Sequence, residues 1–340
     1  MGRAEVSGLV TIDDIARMAS VSKSTVSKVI NNYRGVSAKT RERVLKAMKE
    51  CNYWPNATAR SLTMSRSMIV GLFVASQLND RFFREVLDGL EMSLGEKGYD
   101  ILYLSSKRAD NPGRKFGFVE KARDRHVDGV IFLSYLKTSI QQFDEILGSD
   151  IPAVFVDVDL VGKRASYVMS DNMKSGSMAA EYLVKMGHRM IGFIDGRHYS
   201  KPAQDRLTGF HRTLAEFQIP YNPDWVFRGE FSEEAGYSAM QEILTMTNRP
   251  TAIVAQDLMA IGAIKAIRDA GYSVPEDFSI VGFDDIELSR HYNLTTVRQK
   301  KEEMGRAAAE LLLKIINGEV FSPVIIDTEL IERGSCRRLA

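Results

Sequence analysis

"DDIARMASVSKSTVSKVINN", Asp13 to Asn32, carries two apolar stripes at helical spacing on either side of a short serine-flanked break. Thr11 and Asp14 form an S/T-x-x-D/E capping pattern, and Ile12, Ile15, Ala16 and Ala19 then recur at i, i+3, i+4 and i+7, one buried helix face. After Ala19-Ser20-Val21, Ser22 can cap a second helix. Val21 and Val26 stand at the ends of a hydrophobic staple, and Val26, Val29 and Ile30 supply the inner stripe. The opposite face holds Lys23, Ser24, Ser27 and Lys28. Two short helices joined by a tight turn, the second presenting cations and small donors, describe a helix-turn-helix whose second helix fits a major groove. An αα-hairpin with an ordinary solvated face gives the same pattern, so the two are separated by charge.

The net charge of +1 over 340 residues hides an asymmetry. Residues 1–66 carry 12 Lys and Arg against 5 Asp and Glu, and the remainder carries 33 against 39. A basic head on an acidic body suits a head that meets a polyanion, which favours the helix-turn-helix. The length points to two or three domains, and 44% hydrophobic and 26% charged residues are ordinary for a globular chain. No run approaches the roughly 18 apolar residues of a membrane span, and "MGRAEVSGLV" lacks a signal-peptide core, so a cytoplasmic protein is expected. Cys51 and Cys336 are too few and too far apart for a disulfide frame or a metal site.

Past the hairpin, Ser37 can cap a third helix running to about Glu50, with Val44, Leu45 and Met48 on its inner side. In "YWPNATARSLTMSRS" Pro55 breaks the chain, and Ala57 to Leu62 offers fewer than two turns of helix, too short to be stable alone. It is expected to order only on binding. Leu62, apolar in a polar linker, suits a wedge between base steps of a minor groove; packing against the body is the alternative. From Met68 onward short apolar runs alternate with amphipathic stretches: "MIVGLFVA", "DILYLS", "GVIFLS", "AVFVD", "MIGFID", "TAIVAQ" and "SIVGFD". That alternation predicts parallel sheets covered on both faces, with strands enough for two Rossmann-like lobes.

Ligands of such sheets bind beyond the carboxyl ends of the strands. Asp157, Asp195, Gln256, Asp257, Asp284 and Asp285 gather at those ends, with Arg206 in "AQDRLTGF" and the aromatics Phe82, Phe83 and Phe231. Carboxylates and amides match hydroxyls, a guanidinium forks onto two oxygens, and rings cover the apolar face of a sugar or base. Taken singly, a strand-end aspartate more often caps the next helix.

With these residues stands a set of longer motifs in order: "VTIDDIARMASVSKSTVSKVINN", "VSAKTRERVLKAMKECNYWPNATARSL", "VDGVIFLS", "AAEYLVKMGHRMIGFIDG", "RLTGF", "VPEDFSIVGFDD" and "LTTVRQ". Over nearly its whole length the chain resembles the lactose/galactose repressor (LacI/GalR) family of bacterial transcription regulators. The resemblance implies an all-α helix-turn-helix head joined by a hinge helix to an α/β body of two periplasmic-binding-protein-like lobes. Expected boundaries are 1–55 for the head, 56–66 for the hinge and 67–340 for the body. Lobe one then takes about 67–166 and 297–325, and lobe two about 167–296 and 326–340. It further implies a homodimer on a near-palindromic double-stranded operator, with affinity set by a small-molecule effector.

Carried over by position, Thr11, Ser22, Lys23, Ser24, Thr25, Ser27 and Lys28 fall on the DNA-facing set, followed by Asn31 near the backbone. Ala59, Arg60 and Leu62 fall on the hinge. Phe82, Phe83, Asp157, Arg206, Phe231, Gln256 and Asp284 fall on effector-cleft positions. A sugar or sugar phosphate is the expected effector, with a nucleobase as the alternative; no cofactor or metal is expected. There are departures. Ser20 stands where the turn usually has glycine, so a left-handed backbone there would cost about 1 kcal/mol. Lys28 replaces a common arginine, Gln256 a usual asparagine, and Arg197, His198 and Lys201 bring cations to a cleft loop, which suits an anionic effector. The end, "IERGSCRRLA", lacks leucine heptads for tetramers, so a dimer is expected. A transport binding protein would lack the basic head. An enzyme on this body would show a G-x-G-x-x-G, P-loop, G-x-S-x-G or H-E-x-x-H pattern, and none is found.

Overall fold

The computed structural model describes residues 10–30, 33–53, 66–75, 81–105, 117–133, 143–197 and 199–339. Asn31, His198 and the hinge residues Ala59, Arg60 and Leu62 lie outside them. The chain divides into two compact units, Met1–Met68 and Ile69–Ala340.

The first unit holds α1 (Ile12–Met18), α2 (Lys23–Ile30) and α3 (Ala38–Glu50). Thr11 and Asp14 close a reciprocal capping box at α1, and Ser22 Oγ accepts from Thr25 N at the start of α2. Ser37 does the same for Thr40 N at α3. Ile15, Ala16, Ala19, Val26, Val29, Val44 and Ala47 form the core, with Val21 and Met48 packed on it. Leu45 corrects the expectation for α3. It is 51% exposed, because Val44, Ala47 and Met48 already occupy the inward stripe and Leu45 lies a quarter-turn away. Ser20 adopts φ 48°, the left-handed turn for which glycine is the unstrained residue.

The second unit is built on two six-stranded sheets. The first takes β1 (Ile69–Val74), β2 (Asp100–Leu104), β3 (Gly129–Leu133), β4 (Ala153–Val156), β5 (Ala165–Ser170) and β11 (Val324–Ile326), in the order β11-β5-β4-β3-β1-β2. The second takes β6 (Ile191–Asp195), β7 (Val226–Arg228), β8 (Ala252–Ala255), β9 (Ser279–Asp284), β10 (Thr295–Gln299) and β12 (Thr328–Ile331), in the order β12-β10-β9-β8-β6-β7. Every pairing is parallel except β12 on β10. Among the described residues no helix is long and apolar enough to cross a membrane.

The helices between are α4 (Arg81–Glu96), α5 (Phe118–Asp124), α6 (Asp144–Gly148), α7 (Asn172–Lys185), α8 (Lys201–Glu216), α9 (Glu233–Thr245), α10 (Asp257–Asp269), α11 (Glu287–His291) and α12 (Lys301–Asn317). Reciprocal glycines bring helix pairs into backbone contact. A Cβ on Gly176 of α7 would stand 1.9 Å from the Arg206 carbonyl of α8, and one on Gly209 of α8 equally near that of Met173. Gly89 of α4 meets Glu302 O of α12 in the same way.

Lobe one is filled by rings. Phe73, Phe132 and Phe155 sit in register on β1, β3 and β4 and stack at 5.1 and 4.7 Å, with Phe118 and Phe143 meeting Phe132 edge-on. Lobe two has two core clusters, one mainly aliphatic and methionine, with Met240, Ile253, Met259, Ile264 and Ile280, and one in which Phe193 packs tilted against Phe210 and Phe283.

The chain crosses between the sheets three times: after β5, between β10 and α12, and between β11 and β12. The first two fall three to four residues later than about 166 and 296, and the third lies at about the expected 325. The reason for the first two is that β5, "ASYVMS", and β10, "TTVRQ", are strands without a continuous apolar run, so their ends are hard to read. Asp171 N donates to Ile326 O, Ser175 Oγ to Thr328 Oγ1, and Lys174 pairs with Asp327 at 2.6 Å, so the first and third crossings are tied together.

Candidate functional site

Two surfaces carry the candidate residues. On the head, Thr11, Ser22, Lys23, Ser24 and Lys28 are exposed, and Thr25 and Ser27 are half-buried. Ser22 Oγ lies 2.8 Å from both Ser24 Oγ and Thr25 Oγ1, a small hydroxyl cluster at the start of α2. Lys23 Nζ reaches Asp13 at 3.0 Å across the turn, with 61% and 59% of the two side chains exposed. Such a pair contributes under about 1 kcal/mol and yields easily to a phosphate. Arg41, which sequence reasoning passed over, donates to Tyr33 O at 3.2 Å and to Val29 O near the end of α2, where carbonyls and the helix dipole favour a cation.

In the body, the carboxyl ends of neighbouring strands converge. Asp284 closes β9, and its two oxygens accept three donors: Arg206 Nη2 at 3.0 Å, Gln299 Nε2 at 2.5 Å and Gln256 Nε2 at 2.8 Å. Arg206, 6% exposed, also donates from Nε to Asn172 Oδ1 at 2.9 Å and lies 4.8 Å from the Phe283 ring. Burying this guanidinium is tolerable because a carboxylate, an amide and a ring all face it. Lys301, 2% exposed, donates to the backbone oxygens of Asp284 and Asp285 at 3.0 and 3.2 Å and pairs with Glu85 of α4 at 2.9 Å. It ties the second sheet's edge to lobe one. Asp285 is held by Arg298 and Arg333 at 2.7 and 2.6 Å.

Burial shapes the acids. Asp157, after β4, is pushed up to about 7 by desolvation, with Arg206 pulling it down and Asp284 pushing it up. Asp195, ending β6, is pushed up to about 6 by desolvation against Arg206 and Arg228. Asp257 reaches about 7 from burial and the like charge of Asp284, though Ile286 N, Ser289 Oγ and Thr296 Oγ1 donate to it. Its part is structural: it clamps the turn after β9. Asp157, Phe231, Asp284 and Asp285 have φ of 62°, 59°, 102° and 49°, strained conformations of the kind that gather where a site fixes its side chains.

The structure therefore brings Asp157, Arg206, Gln256 and Asp284 together. Phe231 lies beside them, its ring against the Cα of Gly196, where a Cβ would stand 1.9 Å from the ring. Phe82 and Phe83 pack edge-on at 5.0 Å on α4, a turn from Glu85, whose pairing with Lys301 joins that helix to the cluster. Asn172, Asp195, Gln299 and Lys301 complete the cluster, and only Asp195 had stood out as a strand end. The loop cations are engaged already: Arg197 pairs with Glu230 at 2.9 Å and Lys201 with Asp205. Among the described residues no cluster of three or more histidine, cysteine or acidic side chains could hold a metal.

The family described as bacterial regulatory proteins, lacI family, matches residues 11–56, and the periplasmic binding protein-like domain matches residues 180–336. The chain is similar to the HTH-type transcriptional repressor PurR of Vibrio parahaemolyticus, 34% identical over 345 residues, covering 97% of this chain and 100% of the relative. It is similar to the ribose operon repressor of Haemophilus influenzae, 35% identical over 332 residues, covering 96% and 98%. Its fold matches a crystal structure of the lac repressor dimer bound to operator and the anti-inducer ONPF, with TM-score 0.83, 28% identity and coverage of 97% and 100%.

Proposed function

The chain belongs to the lacI family of bacterial regulatory proteins, and on that premise we propose that it reads a pseudo-palindromic operator as a homodimer whose DNA affinity is set by a small molecule in the Arg206–Asp284 cleft. It is a DNA-binding transcriptional regulator with an effector-binding body, not an enzyme.

The observation that carries the effector reading is the position of the network. Asn172, Gln299 and Lys301, which bond Arg206 and Asp284, lie at chain crossings between the lobes. A ligand that bonds Arg206 and Asp284 thus acts where the relative orientation of the lobes is set. Differential affinity for two orientations couples the cleft to the operator by about 1–3 kcal/mol, and the operator to the cleft by the same factor. A sugar is the effector class favoured, since Phe82, Phe83 and Phe231 offer ring faces while Asp157, Gln256 and Asp284 match hydroxyls. Similarity to the ribose operon repressor supports that class.

On the DNA side, Lys23, Ser24, Thr25, Ser27 and Lys28 read base edges in the major groove, and Thr11, Ser22 and Asn31 hold the backbone. The basic excess of the head supplies the salt-dependent attraction. Ala59, Arg60 and Leu62 act at the minor groove, Leu62 as the wedge.

Selection of bound duplexes from a random pool, using the full chain at near-physiological salt with and without a ligand panel, tests both halves. Enrichment of a palindrome whose recovery shifts with one ligand is expected. A folded protein that enriches no sequence under any condition rejects the head as a reader. Leu62→Ala is expected to weaken operator binding about tenfold, or about 1.4 kcal/mol, with ligand binding unchanged; equal operator affinity removes the wedge.

A further inference from the structure

Among the described residues, four buried acceptor atoms around the cleft have no hydrogen-bond partner: Asp157 Oδ1, Asp195 Oδ1, Gln256 Oε1 and Gln299 Oε1. The amide orientations are fixed, because both Nε2 groups face the Asp284 carboxylate, which only accepts. Buried polar atoms are nearly always paired, so four acceptors without a donor in one place mark a surface that a donor-rich molecule completes. Of these four, Asp195 has no part in the coupling of cleft to operator. It is 6% exposed and ends β6, beside β8 and its Gln256, with β9 and Asp284 next in the sheet. Arg228 stands opposite in register on β7 and is exposed. The Phe231 ring lies against Gly196, the next residue.

Charge sharpens the requirement. Asp157, Asp195 and Asp284 all act on one buried guanidinium, Arg206, and Asp284 holds its direct ion pair. Among the described residues neither Asp157 nor Asp195 makes a direct ion pair, and Arg228, which also acts on Asp195, is exposed. A phosphate would bring acceptors and negative charge to a wall that already has both in excess. The cations that could have served it, Arg197 and Lys201, are paired with Glu230 and Asp205. An ammonium supplies three donors and one positive charge on a single atom.

We propose that Asp195 receives an amine of the effector, and that the effector is an amine-bearing sugar, bound as a cation, rather than a neutral or phosphorylated one. The proposal rests on the cleft being the effector site. Asp195 is then a specificity residue. Arg206, Asp284 and the two glutamines bind the ring hydroxyls that amine-bearing and neutral sugars share, while Asp195 separates them.

The test is thermal melting of the full-length protein, Asp195→Asn and Arg206→Ala with a titrated panel. The panel contains D-glucosamine, D-galactosamine and D-mannosamine, each beside its neutral parent and that parent's 6-phosphate, with guanine as a base control. At least one amine is expected to raise the wild-type Tm, with its neutral parent at least tenfold weaker. Asp195→Asn is expected to bind both within a factor of three, and Arg206→Ala neither. Without ligand, Asp195→Asn is expected to melt no lower than wild type, since it removes an unmatched carboxyl; a lower Tm makes Asp195 a structural residue and overturns the proposal. Preference for a neutral sugar, a phosphate or guanine overturns the amine, as does failure of every amine to bind or an amine preference that survives in Asp195→Asn. If Arg206→Ala responds like wild type, the cleft itself is misplaced, a failure distinct from that of the amine alone.

Discussion

The two lobes share a parallel-sheet plan yet are unlike where they face each other. Lobe two brings Asp195, Arg206, Gln256, Asp284 and Gln299 to one edge, where Arg206, Gln256 and Gln299 all bond Asp284. Lobe one brings Asp157, the Phe82–Phe83 pair and Glu85, which pairs with Lys301. The cores differ too: five rings pack together in lobe one, whereas the two clusters of lobe two are mainly aliphatic, with Phe193 tilted against Phe210 and Phe283. The difference teaches that binding and closing are separate tasks. A preorganised polar wall loses little freedom when it takes up a ligand, so it supplies affinity. A sparsely tied wall can shift at low cost, so it supplies the response.

The largest expected effect breaks the polar wall. Asp284→Ala strands Arg206 as a buried charge and leaves two glutamines without their acceptor, which costs about 3–5 kcal/mol of body stability. Urea denaturation and ligand-dependent operator release should both register it. Full stability in this variant would make the two walls equivalent.

Next comes a pH contrast from lobe one. Asp157 is raised from 3.8 to about 7 in the fold, so the native state holds a proton that the unfolded chain releases between those values. Its contribution to stability is therefore present below about pH 4 and lost as pH rises to about 7, a few kcal/mol in all. Asp157→Asn keeps that contribution. The stability difference between variant and wild type should widen from pH 4 to 7 and then level, as read by denaturant titration at each pH.

A matched glycine pair sharpens the comparison further. Gly176→Ala forces a methyl against the Arg206 carbonyl, and Gly89→Ala forces one against the Glu302 carbonyl. Each should cost about 1–3 kcal/mol. Only Gly176→Ala should also weaken ligand binding, measured by calorimetry, because only its helix neighbour carries Arg206. The smallest effect tests the tie. Glu85 is half-exposed, so Glu85→Gln should change stability by under about 1 kcal/mol while altering ligand affinity. An unchanged affinity would mean that the tie does not bias the lobes.

The sequence was most legible where one local rule dominated. The capping box at Thr11, the staple of Val21 and Val26 and the apolar strands announce themselves at short range. β5 and β10 did not, because their inward residues include Ser166, Ser170, Thr295 and Thr296, all buried by tertiary pairing rather than by apolar character. Missing those strands hid the residues just past them, Asn172, Gln299 and Lys301. The stretches "DN" after "YVMS" and "QKK" after "TTVR" were the available signal, polar residues following a β-branched or aromatic run. Leu45 misled for a different reason. An apolar residue next to a filled stripe carries no mark of which way it turns. Ser20 went the other way: its departure from glycine raised the question of a left-handed turn, and φ 48° answers it.

The three crossings have a consequence for how such a protein can be rebuilt or can diverge. The head is one unbroken stretch, so a single junction can exchange it for another. Each lobe is written in separate stretches of the chain, interleaved with those of its neighbour, and no single junction exchanges one lobe whole. New operators can therefore be acquired by recombination, whereas a new effector has to be reached by substitution, residue by residue, within a cleft inherited as a unit.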